Sequence, residues 1–403
     1  MSTRQPQATE HQASNQKTSN REAPDQNTVI DKAGKVRDSE ALDSQAVTQW
    51  LISQGIEVEG EPEVTQFSGG ASNWTYRLQY PNMDLILRRP PAGTKAKSAH
   101  DMVREYKVQQ ALADDYPYVP KMIALCTDDS VIGCDFYVMQ RLVGIIPRAN
   151  LPKSLNLDST EVRNLCTNVI DALIELHQID YQNNPELTAL GKGEGYCERQ
   201  VMGWDKRYKK AKTPNVPSFF IVRQWLKRNL PEDSRICVIH NDWRFDNVVL
   251  DPEQPTKVIG VLDWEMATLG DPLMDLGSAL AYWVQADDNK IMRQSRRQPT
   301  HLEGMMTREE VVNYYLQKTG MDSSNWTFYE VFGLFRLAGI AQQIYYRYYH
   351  KQTDNPAFKN FWIIIHAIHA RALKLIAKHE ALRVVDKNTL PKPIQSLAER
   401  WVP

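Results

Sequence analysis

VIHNDWRFDNVVL, the stretch from Val238 to Leu250, places a cluster of polar side chains between two apolar runs. Val238 and Ile239 precede the cluster, and residues 248–250 follow it. Apolar β-branched runs of this kind predict short strands, so the polar residues are expected to lie on a loop between two strands. The polar side chains of this loop include His240, Asp242, Arg244, Asp246 and Asn247.

The spacing of these side chains indicates a particular chemistry. The loop reads H-x-D followed five residues later by Asn, and the next strand-like run, KVIGVLDWE, reaches Asp263. Phosphoryl transfer needs one carboxylate to orient and deprotonate an acceptor hydroxyl, and a second carboxylate and an amide oxygen to hold Mg²⁺ against the nucleotide phosphates. Asp242 fits the first role, and Asn247 and Asp263 fit the second. The sequence therefore predicts a kinase-type site that uses ATP and Mg²⁺.

Two further side chains of the loop are candidate members of the catalytic group. Arg244 lies two residues after Asp242, where its charge can offset the charge of the transferring phosphate. His240 is expected to brace the loop. A metal hydrolase is the alternative, because His240, Asp242, Asp246 and Asp263 can all ligate a metal. The sequence near this loop shows no second or third histidine with metal-ligand spacing, which disfavours the hydrolase.

The sequence before this loop contains the parts that a nucleotide site needs. FSGGASNWTY, at residues 67–76, puts two glycines between strand runs, and glycine lets backbone amides approach phosphates, although such a pair is also common in ordinary turns. The strand LILRR then carries Arg88, which can form an ion pair with Glu105 on the next helical segment. The competing cations are Arg89, Lys95 and Lys97. The candidate nucleotide contacts are Gly69, Gly70, Ser72, Asn73, Arg88, Glu105 and, on the strand expected at the adenine edge, Gln140 and Leu142.

Three segments divide the chain by composition. Residues 1–41 are rich in Gln, Asn, Ser, Thr and charge, which predicts a disordered polar tail. Residues 42–143 show short β-rich runs and one prominent helical segment, and residues 144–403 are dominated by long helical patterns. The sequence therefore predicts an α+β fold with a small β-rich N-terminal lobe and a larger, mainly helical C-terminal lobe, with the ligand in the cleft between them.

Charge and cysteine content limit the partners. The net charge of −1 gives no reason to expect nucleic acid or an anionic membrane as a partner. The five cysteines are scattered without a C-x-x-C pair, which predicts reduced thiols and a cytoplasmic location rather than a disulfide frame or a zinc site. The most apolar run, FWIIIHAIHA at residues 361–370, is too short to span a membrane.

With these residues in place, the chain resembles the aminoglycoside phosphotransferase family, which has a bilobal protein-kinase-like fold. It is most similar to the branch that includes the N-terminal kinase domains of acyl-CoA dehydrogenase family members ten and eleven. The resemblance rests on segments such as LILRRPP, VIHNDWRFDNVVL and VLDWEMATLGDPLMDLG, and it covers about residues 45–350. It implies that Asp242 is the base, that Asn247 and Asp263 bind Mg²⁺, and that Arg88 replaces the usual lysine. The family usually has Gly where this chain has Asn241.

The residues after Asp263 indicate the size of the acceptor. Asp271 and Asp275 are expected to be structural, capping a helix that starts near Pro272 and tying it to the catalytic loop. The short gap between Asp263 and Gly-Asp-Pro leaves no room for a peptide-binding activation segment, so the acceptor is expected to be a small molecule. The resemblance suggests a hydroxyacyl-CoA or a hydroxy acid.

Two alternatives for the function stay open. An aminoglycoside or other antibiotic kinase is one, although aminoglycosides are polycations and the segment before Pro214 is basic. A catalytically silent nucleotide-binding protein is the other, because Asn241 and the missing lysine depart from the family pattern. Two groups of side chains are read either as acceptor-site residues or as ordinary packing and surface residues. The first is Trp204, Asp205, Arg207, Tyr208, Lys209 and Lys210, and the second, on late helices, is Trp326, Arg336, Tyr345, Tyr346, Arg347 and Tyr349.

Overall fold

The computed structural model of the chain describes residues 30–67, 73–91, 101–322 and 324–384. Within these residues, the first lobe contains an antiparallel sheet of five strands, in the spatial order β1-β2-β3-β5-β4. The strands are β1 (Glu63–Gln66), β2 (Trp74–Gln79), β3 (Asp84–Arg89), β4 (Met122–Cys126) and β5 (Phe136–Gln140). The lobe also contains the helices α1 (Ser44–Ser53), α2 (Met102–Leu112) and α3 (Asp129–Ile132).

Helices cover both faces of this sheet. Asp43 and Asp101 cap α1 and α2, because each carboxylate accepts a hydrogen bond from a backbone N–H in the first turn. Side chains alternate along β3, so Leu85 and Leu87 pack toward α1, while Ile86 packs toward α2. This alternation decides which of the two arginines at the end of β3 reaches the cleft.

The second lobe is mainly helical and surrounds one large hydrophobic core. Its described helices are α4 (Ser159–His177), α5 (Pro185–Thr188), α6 (Tyr196–Ala211), α7 (Phe220–Arg228), α8 (Pro272–Ala281), α9 (Lys290–Ser295), α10 (Arg308–Thr319), α11 (Trp326–Tyr349) and α12 (Phe361–Val384). The short strands pair as β6 (Cys237–Ile239) with β9 (Thr268–Gly270) and β7 (Val248–Leu250) with β8 (Val258–Val261). The predicted α+β fold with two unequal lobes is confirmed.

Single 3₁₀ turns occur between these elements. They lie at Asp38–Glu40, Lys153–Leu155, Phe245–Asn247, Trp264–Met266 and Pro356–Phe358. Two of them flank the cleft, since Phe245–Asn247 ends the catalytic loop and Trp264–Met266 follows Asp263. In the described part of the chain, even the helices of 24 residues are too polar to cross a lipid bilayer.

Two glycines bring α8 and α11 into backbone contact. A Cβ at Gly277 would lie 2.4 Å from the carbonyl oxygen of Tyr329, and a Cβ at Gly333 would lie 2.0 Å from that of Gly277. Both distances are shorter than any real Cβ contact, so the crossing requires glycine on each helix. The crossing places Asp275 on α8 and Arg336 on α11 around the same catalytic loop.

The connection between the lobes docks on the β7–β8 hairpin. Ile145 pairs with Leu250, and a Cβ at Gly144 would lie 2.4 Å from the carbonyl oxygen of Leu250. A Cβ at Gly260 on β8 would lie 2.2 Å from the side chain of Leu142. The lobe connection is therefore fixed directly against the strand that follows Asn247.

Residues 30–41, which the sequence assigns to the polar tail, pack on the first lobe. Gly34 forms a bridge with Gln66, with backbone hydrogen bonds of 2.8 Å in both directions. The backbone N–H of Asp31 donates to Gly144 at 3.2 Å. Polar composition did not indicate these contacts, because the bridge to Gln66 satisfies backbone groups at the edge of β1. Val36 in addition packs against the apolar core of the first lobe. The predicted tail therefore extends too far along the chain.

Candidate active site

The loop between β6 and β7 brings Asp242 and Asn247 together. The side-chain Nδ2 of Asn247 donates to the backbone oxygen of Asp242 at 2.9 Å and to its carboxylate at 3.2 Å. The backbone oxygen of Asn247 accepts from Leu262 N–H at 2.8 Å, next to Asp263. Because the amide nitrogen of Asn247 is engaged with Asp242, its Oδ1 is the atom left to act as a ligand.

His240 is buried and holds the loop through both ring nitrogens. Its Nε2 lies 3.0 Å from the backbone oxygen of Leu262, and its Nδ1 accepts from the backbone N–H of Asp242 at 3.3 Å. The ring packs against Trp243 and Trp264, with centroid distances of 5.6 and 4.9 Å. These contacts are those expected of a side chain that braces the loop, and His240 is not among the residues that line the cleft.

Asp275 anchors the backbone that precedes Asp242. Its carboxylate accepts from the N–H groups of His240 and Asn241, each at 2.9 Å, and it contacts His177 Nε2 at 3.2 Å. Burial would raise the pKa of Asp275, but the interactions with His177 and His240 outweigh it and lower this pKa. Asp271 caps α8 by accepting from Leu273 and Met274 N–H. The structural roles predicted for the two aspartates are confirmed.

Asn241 adopts a left-handed backbone conformation with a φ of 67°. Asn tolerates this region better than other residues with a Cβ, although glycine is the usual choice. The replacement of the family's glycine by Asn241 is therefore compatible with the loop that the structure shows.

Arg88 is the arginine of β3 that reaches the cleft. Its guanidinium lies 3.0 Å from Glu105 on α2 and 3.3 Å from Asp263 in the second lobe. Glu105 is almost fully buried. Burial alone would lower the pKa of Arg88, but Glu105, Tyr137 and Asp263 outweigh it and keep the guanidinium charged. The expected pairing of Glu105 with this cation is present.

Arg89 points to the opposite face of the sheet. Its guanidinium stacks over Trp74 and Tyr76, at 4.9 and 5.3 Å from the ring centroids, and donates to the backbone oxygen of Ala41 at 2.9 Å. This geometry separates Arg89 from the cleft. Lys95 and Lys97 lie outside the described residues, as do the predicted phosphate contacts Gly69, Gly70 and Ser72. Asn73 is described, and its Nδ2 donates to Glu265 at 3.2 Å.

The end of β5 offers backbone groups to the cleft. Gln140 N–H donates to Lys121 and Arg141 N–H donates to Asp84, at 2.9 and 3.1 Å. In the described part of the chain, no group accepts a hydrogen bond from the N–H of Leu142. An unused donor beside a cleft is suited to the edge of a planar base, which is the role predicted for this segment.

The two lobes enclose a cleft of about 520 Å³, which is large enough for a nucleotide-sized ligand. Most of the predicted site residues that the structure describes line this cleft, whereas Glu105 and His240 are not among the lining residues. The lining candidates are Asn73, Arg88, Gln140, Leu142, Asp242, Arg244, Asn247 and Asp263.

Arg244 is paired within the loop itself. Its Nε donates to Asp246 Oδ1 at 2.8 Å, its Nη2 contacts the second oxygen of Asp246, and the guanidinium lies 5.2 Å from the ring centroid of Tyr282. The sequence did not predict this ion pair, because two residues at i and i+2 pair only when the intervening backbone turns. The charge of Arg244 is therefore already balanced by one carboxylate, and a phosphate contact by Arg244 remains a prediction.

Sequence reasoning missed Tyr282 and left Arg336 undecided between packing and acceptor binding. Both line the cleft. Arg336 donates to the backbone oxygen of Asn241 at 2.6 Å. Burial raises the pKa of Tyr282, and the neighbouring carboxylate of Asp242 raises it further. Neither position carries a local signal, because each reaches the loop through the packing of α8 against α11.

The basic segment of α6 divides between the cleft and the lobe surface. Trp204 lines the cleft. Asp205 instead pairs with Lys209, Lys227 and Arg223. Tyr208 is buried in the core, and its hydroxyl donates to the Pro217 oxygen at 2.7 Å. The basic residues of this segment are therefore partly neutralised within the lobe.

Comparison with known proteins identifies the family of this chain. The model of the APH phosphotransferase enzyme family matches residues 63–310. The chain belongs to this family. Acyl-CoA dehydrogenase family member 10 of Mus musculus is 36% identical over 369 residues, which cover 91% of this chain and 34% of the mouse protein. The chain thus spans about a third of that relative's length.

Solved structures agree with the family assignment. The crystal structure of a Ralstonia eutropha protein provisionally named an aminoglycoside phosphotransferase superposes on this chain with a TM-score of 0.71. The two sequences are 27% identical, and the match covers 84% of this chain and 99% of the Ralstonia chain. The ADP-bound aminoglycoside phosphotransferase APH(2'')-Ib is 15% identical with a TM-score of 0.53, covering 82% and 99%, and supports the fold alone. The predicted kinase-like fold is confirmed, and the family makes this chain a small-molecule kinase.

Proposed function

We propose that this chain transfers the γ-phosphate of ATP, with Mg²⁺, to a hydroxyl group of a small molecule. One observation carries the proposal: Asp242 and Asn247 are joined on one loop of the cleft, and Asp263 in the same cleft faces Arg88 from the other lobe. This arrangement provides a base, two oxygen ligands and a cation around one space, as phosphoryl transfer requires.

The residues present suit a magnesium ion. Asn247 retains Oδ1, because its nitrogen donates to Asp242. Asp263 lines the same cleft, and about a third of its side chain is exposed. Carboxylate and amide oxygens are the ligands that Mg²⁺ prefers, and the bound ion would neutralise charge on the β- and γ-phosphates.

The chain's own residues then account for the transfer. Asp242 orients the acceptor hydroxyl and takes its proton. The acceptor oxygen forms a bond to the γ-phosphorus. The bond from that phosphorus to the oxygen bridging the β- and γ-phosphates breaks, and its electron pair leaves with ADP. Arg88, held by Glu105, would contact the nucleotide phosphates from the first lobe.

A hydroxyacyl-CoA or a hydroxy acid is the acceptor class we propose. The support is similarity to a relative named for acyl-CoA chemistry, although this chain covers only part of that relative. Arg336, which lines the cleft and donates to a backbone oxygen and not to a carboxylate, also suits an acceptor with an acyl oxygen or a carboxylate better than a polycationic aminoglycoside. The cytoplasm, where ATP and CoA esters are available, is the proposed compartment.

A transfer assay with labelled ATP tests this proposal. The full-length chain would be incubated with γ-labelled ATP, Mg²⁺ and one acceptor at a time. The acceptors would be 3- and 4-hydroxyacyl-CoA esters, the free hydroxy acids, an aminoglycoside, a macrolide and choline. We expect label in the hydroxyacyl products. Label only in the aminoglycoside or macrolide would favour an antibiotic kinase, and Mg²⁺-ATP binding without transfer to any acceptor would favour a silent nucleotide-binding protein.

A further inference from the structure

Arg336 differs from the other arginines that line the cleft. Each of the other four has a carboxylate partner: Glu105 and Asp263 for Arg88, Asp84 for Arg141, Asp31 for Arg148 and Asp246 for Arg244. Arg336 is 4% exposed, and in the described part of the chain its recorded hydrogen-bond acceptor is the backbone oxygen of Asn241 and not a carboxylate. A buried guanidinium without an anion is costly, so its neighbourhood favours an oxygen-bearing ligand.

Trp204 provides a donor without a hydrogen-bond partner in the same wall of the cleft. Its side chain is 7% exposed and lines the cleft, and its indole N–H has no hydrogen-bond partner in the described part of the chain. The guanidinium of Arg336 lies 5.8 Å from the centroid of the Trp204 ring. A buried indole N–H normally finds an acceptor, so two donors with unused capacity stand side by side.

The position of this pair relative to Asp242 is fixed by the helix packing. Arg336 uses one N–H to hold the backbone oxygen of Asn241, the residue that precedes Asp242. A Cβ at Gly339, one turn further along α11, would lie 2.8 Å from the Trp204 ring, so glycine leaves room for the indole. The remaining donors of Arg336 therefore lie beside the base, where the acceptor must bind.

We propose that Arg336 and Trp204 form the acyl-oxygen subsite of the acceptor, which holds a carboxylate or a thioester carbonyl while the hydroxyl of the same molecule faces Asp242. This inference rests on the proposed kinase function and adds a selection rule to it. Acceptors that carry an acyl oxygen are preferred over simple alcohols, because an alcohol supplies no such oxygen and leaves the buried indole N–H of Trp204 unpaired.

A substitution at Arg336, combined with matched acceptors, tests the subsite. The acceptors are 4-hydroxypentanoyl-CoA, 4-hydroxypentanoate and pentan-2-ol, which carries the hydroxyl without an acyl oxygen. Wild type should prefer one of the first two over pentan-2-ol. Arg336→Met should raise KM for that preferred acceptor by about 10- to 100-fold, the usual value of hydrogen bonds to a charged group. Because Arg336 also holds the backbone oxygen of Asn241, transfer to pentan-2-ol should fall as well, but by a factor about 10-fold smaller than the loss toward the preferred acceptor.

The control variant removes a different guanidinium that also stacks on the Trp204 ring. Arg207 stacks on Trp204 at 4.6 Å but is not among the residues lining the cleft, so Arg207→Met should leave the KM for the preferred acceptor and the transfer to pentan-2-ol unchanged. Equal losses toward all three acceptors in Arg336→Met would overturn the subsite and indicate a role in holding the loop. Transfer by wild type to other hydroxyl acceptors, with no preference for an acyl oxygen, would overturn it while leaving the kinase intact. No transfer to any acceptor would overturn the kinase proposal itself.

Discussion

The guanidinium of Arg88 lies 3.3 Å from the carboxylate of Asp263, and this ion pair crosses from the first lobe to the second. Asp263 reaches this position because its backbone adopts a left-handed conformation with a φ of 66°, which turns the chain between β8 and the following 3₁₀ turn. Such a conformation is uncommon for a residue with a Cβ and occurs frequently at functional sites. The pair joins the proposed phosphate-binding cation to the proposed metal ligand.

Removal of the Asp263 carboxylate should abolish the Mg²⁺ dependence of ATP binding. In Asp263→Ala, one of the two proposed oxygen ligands is lost, while Glu105 still pairs with Arg88. Calorimetric titration of the variant and of wild type with ATP, in the presence and absence of Mg²⁺, measures the effect. Asp251→Ala, at the turn after β7, serves as the control. An unaltered Mg²⁺ dependence in Asp263→Ala would refute the metal role.

The two neighbouring arginines of β3 should behave differently. Arg88→Met should raise KM for ATP by about 10- to 100-fold through the loss of a charged phosphate contact. Arg89→Met should lower the melting temperature instead, because it removes a cation–π stack of about 0.5–2 kcal/mol on Trp74 and Tyr76. Steady-state kinetics and thermal unfolding of both variants distinguish them. Equal effects on KM would show that the face of the strand does not decide the nucleotide contact.

The catalytic loop was predictable because its spacing and flanking strands are local in sequence. The same holds for Asp271 and Asp275, whose capping and anchoring roles follow from the helix start at Pro272. The choice between Arg88 and Arg89 was not predictable. Side chains alternate along a strand, so the two arginines must lie on opposite faces of the sheet, but the sequence does not indicate which face packs against α2.

The parts of the site that the sequence does not decide depend on long-range packing. Arg336 contacts the backbone of Asn241, and Tyr282 lies near the carboxylate of Asp242, because α8 and α11 cross at Gly277 and Gly333. A single sequence does not indicate that these glycines meet. The packing of residues 30–41 is hidden for a related reason, because their contacts include many backbone hydrogen bonds and polar side-chain contacts, which composition does not reveal.

Asn241 offers a test of the loop's backbone conformation. Asn241→Gly should preserve turnover and stability, because glycine adopts the same φ of 67° without strain. Asn241→Val should destabilise the protein by about 1–3 kcal/mol and reduce turnover, since a β-branched residue is poorly tolerated there. Chemical unfolding and initial rates of the two variants provide the measurement. A valine variant as stable and active as the glycine variant would contradict the left-handed assignment.

The network around Asp205 should stabilise the second lobe in a pH-dependent way. Burial would raise the pKa of Asp205, but Arg223, Lys209 and Lys227 outweigh it and hold this pKa well below its usual range. The carboxylate therefore contributes stability above its unfolded pKa of about 4, and that contribution is lost as the pH falls toward the lower folded pKa.

Asp205→Asn measures this contribution. The variant should lose about 3 kcal/mol of unfolding free energy at pH 7, as expected when one partner of a buried charge network is removed. The difference from wild type should shrink below about pH 4. Urea unfolding of both proteins across this pH range provides the measurement. A difference that does not change with pH would show that packing, and not charge, accounts for the loss.

The most direct test of the account is the rate of phosphoryl transfer in Asp242→Asn. Wild type, Asp242→Asn and the control Asp251→Asn would be compared in single turnovers with γ-labelled ATP, Mg²⁺ and the best acceptor, and Mg²⁺-ATP binding would be measured in parallel. We predict unchanged nucleotide binding in all three proteins and a transfer rate about 10²- to 10⁴-fold lower in Asp242→Asn alone, the usual contribution of a general base. A transfer rate in Asp242→Asn equal to that of wild type would contradict the assignment of Asp242 as the base.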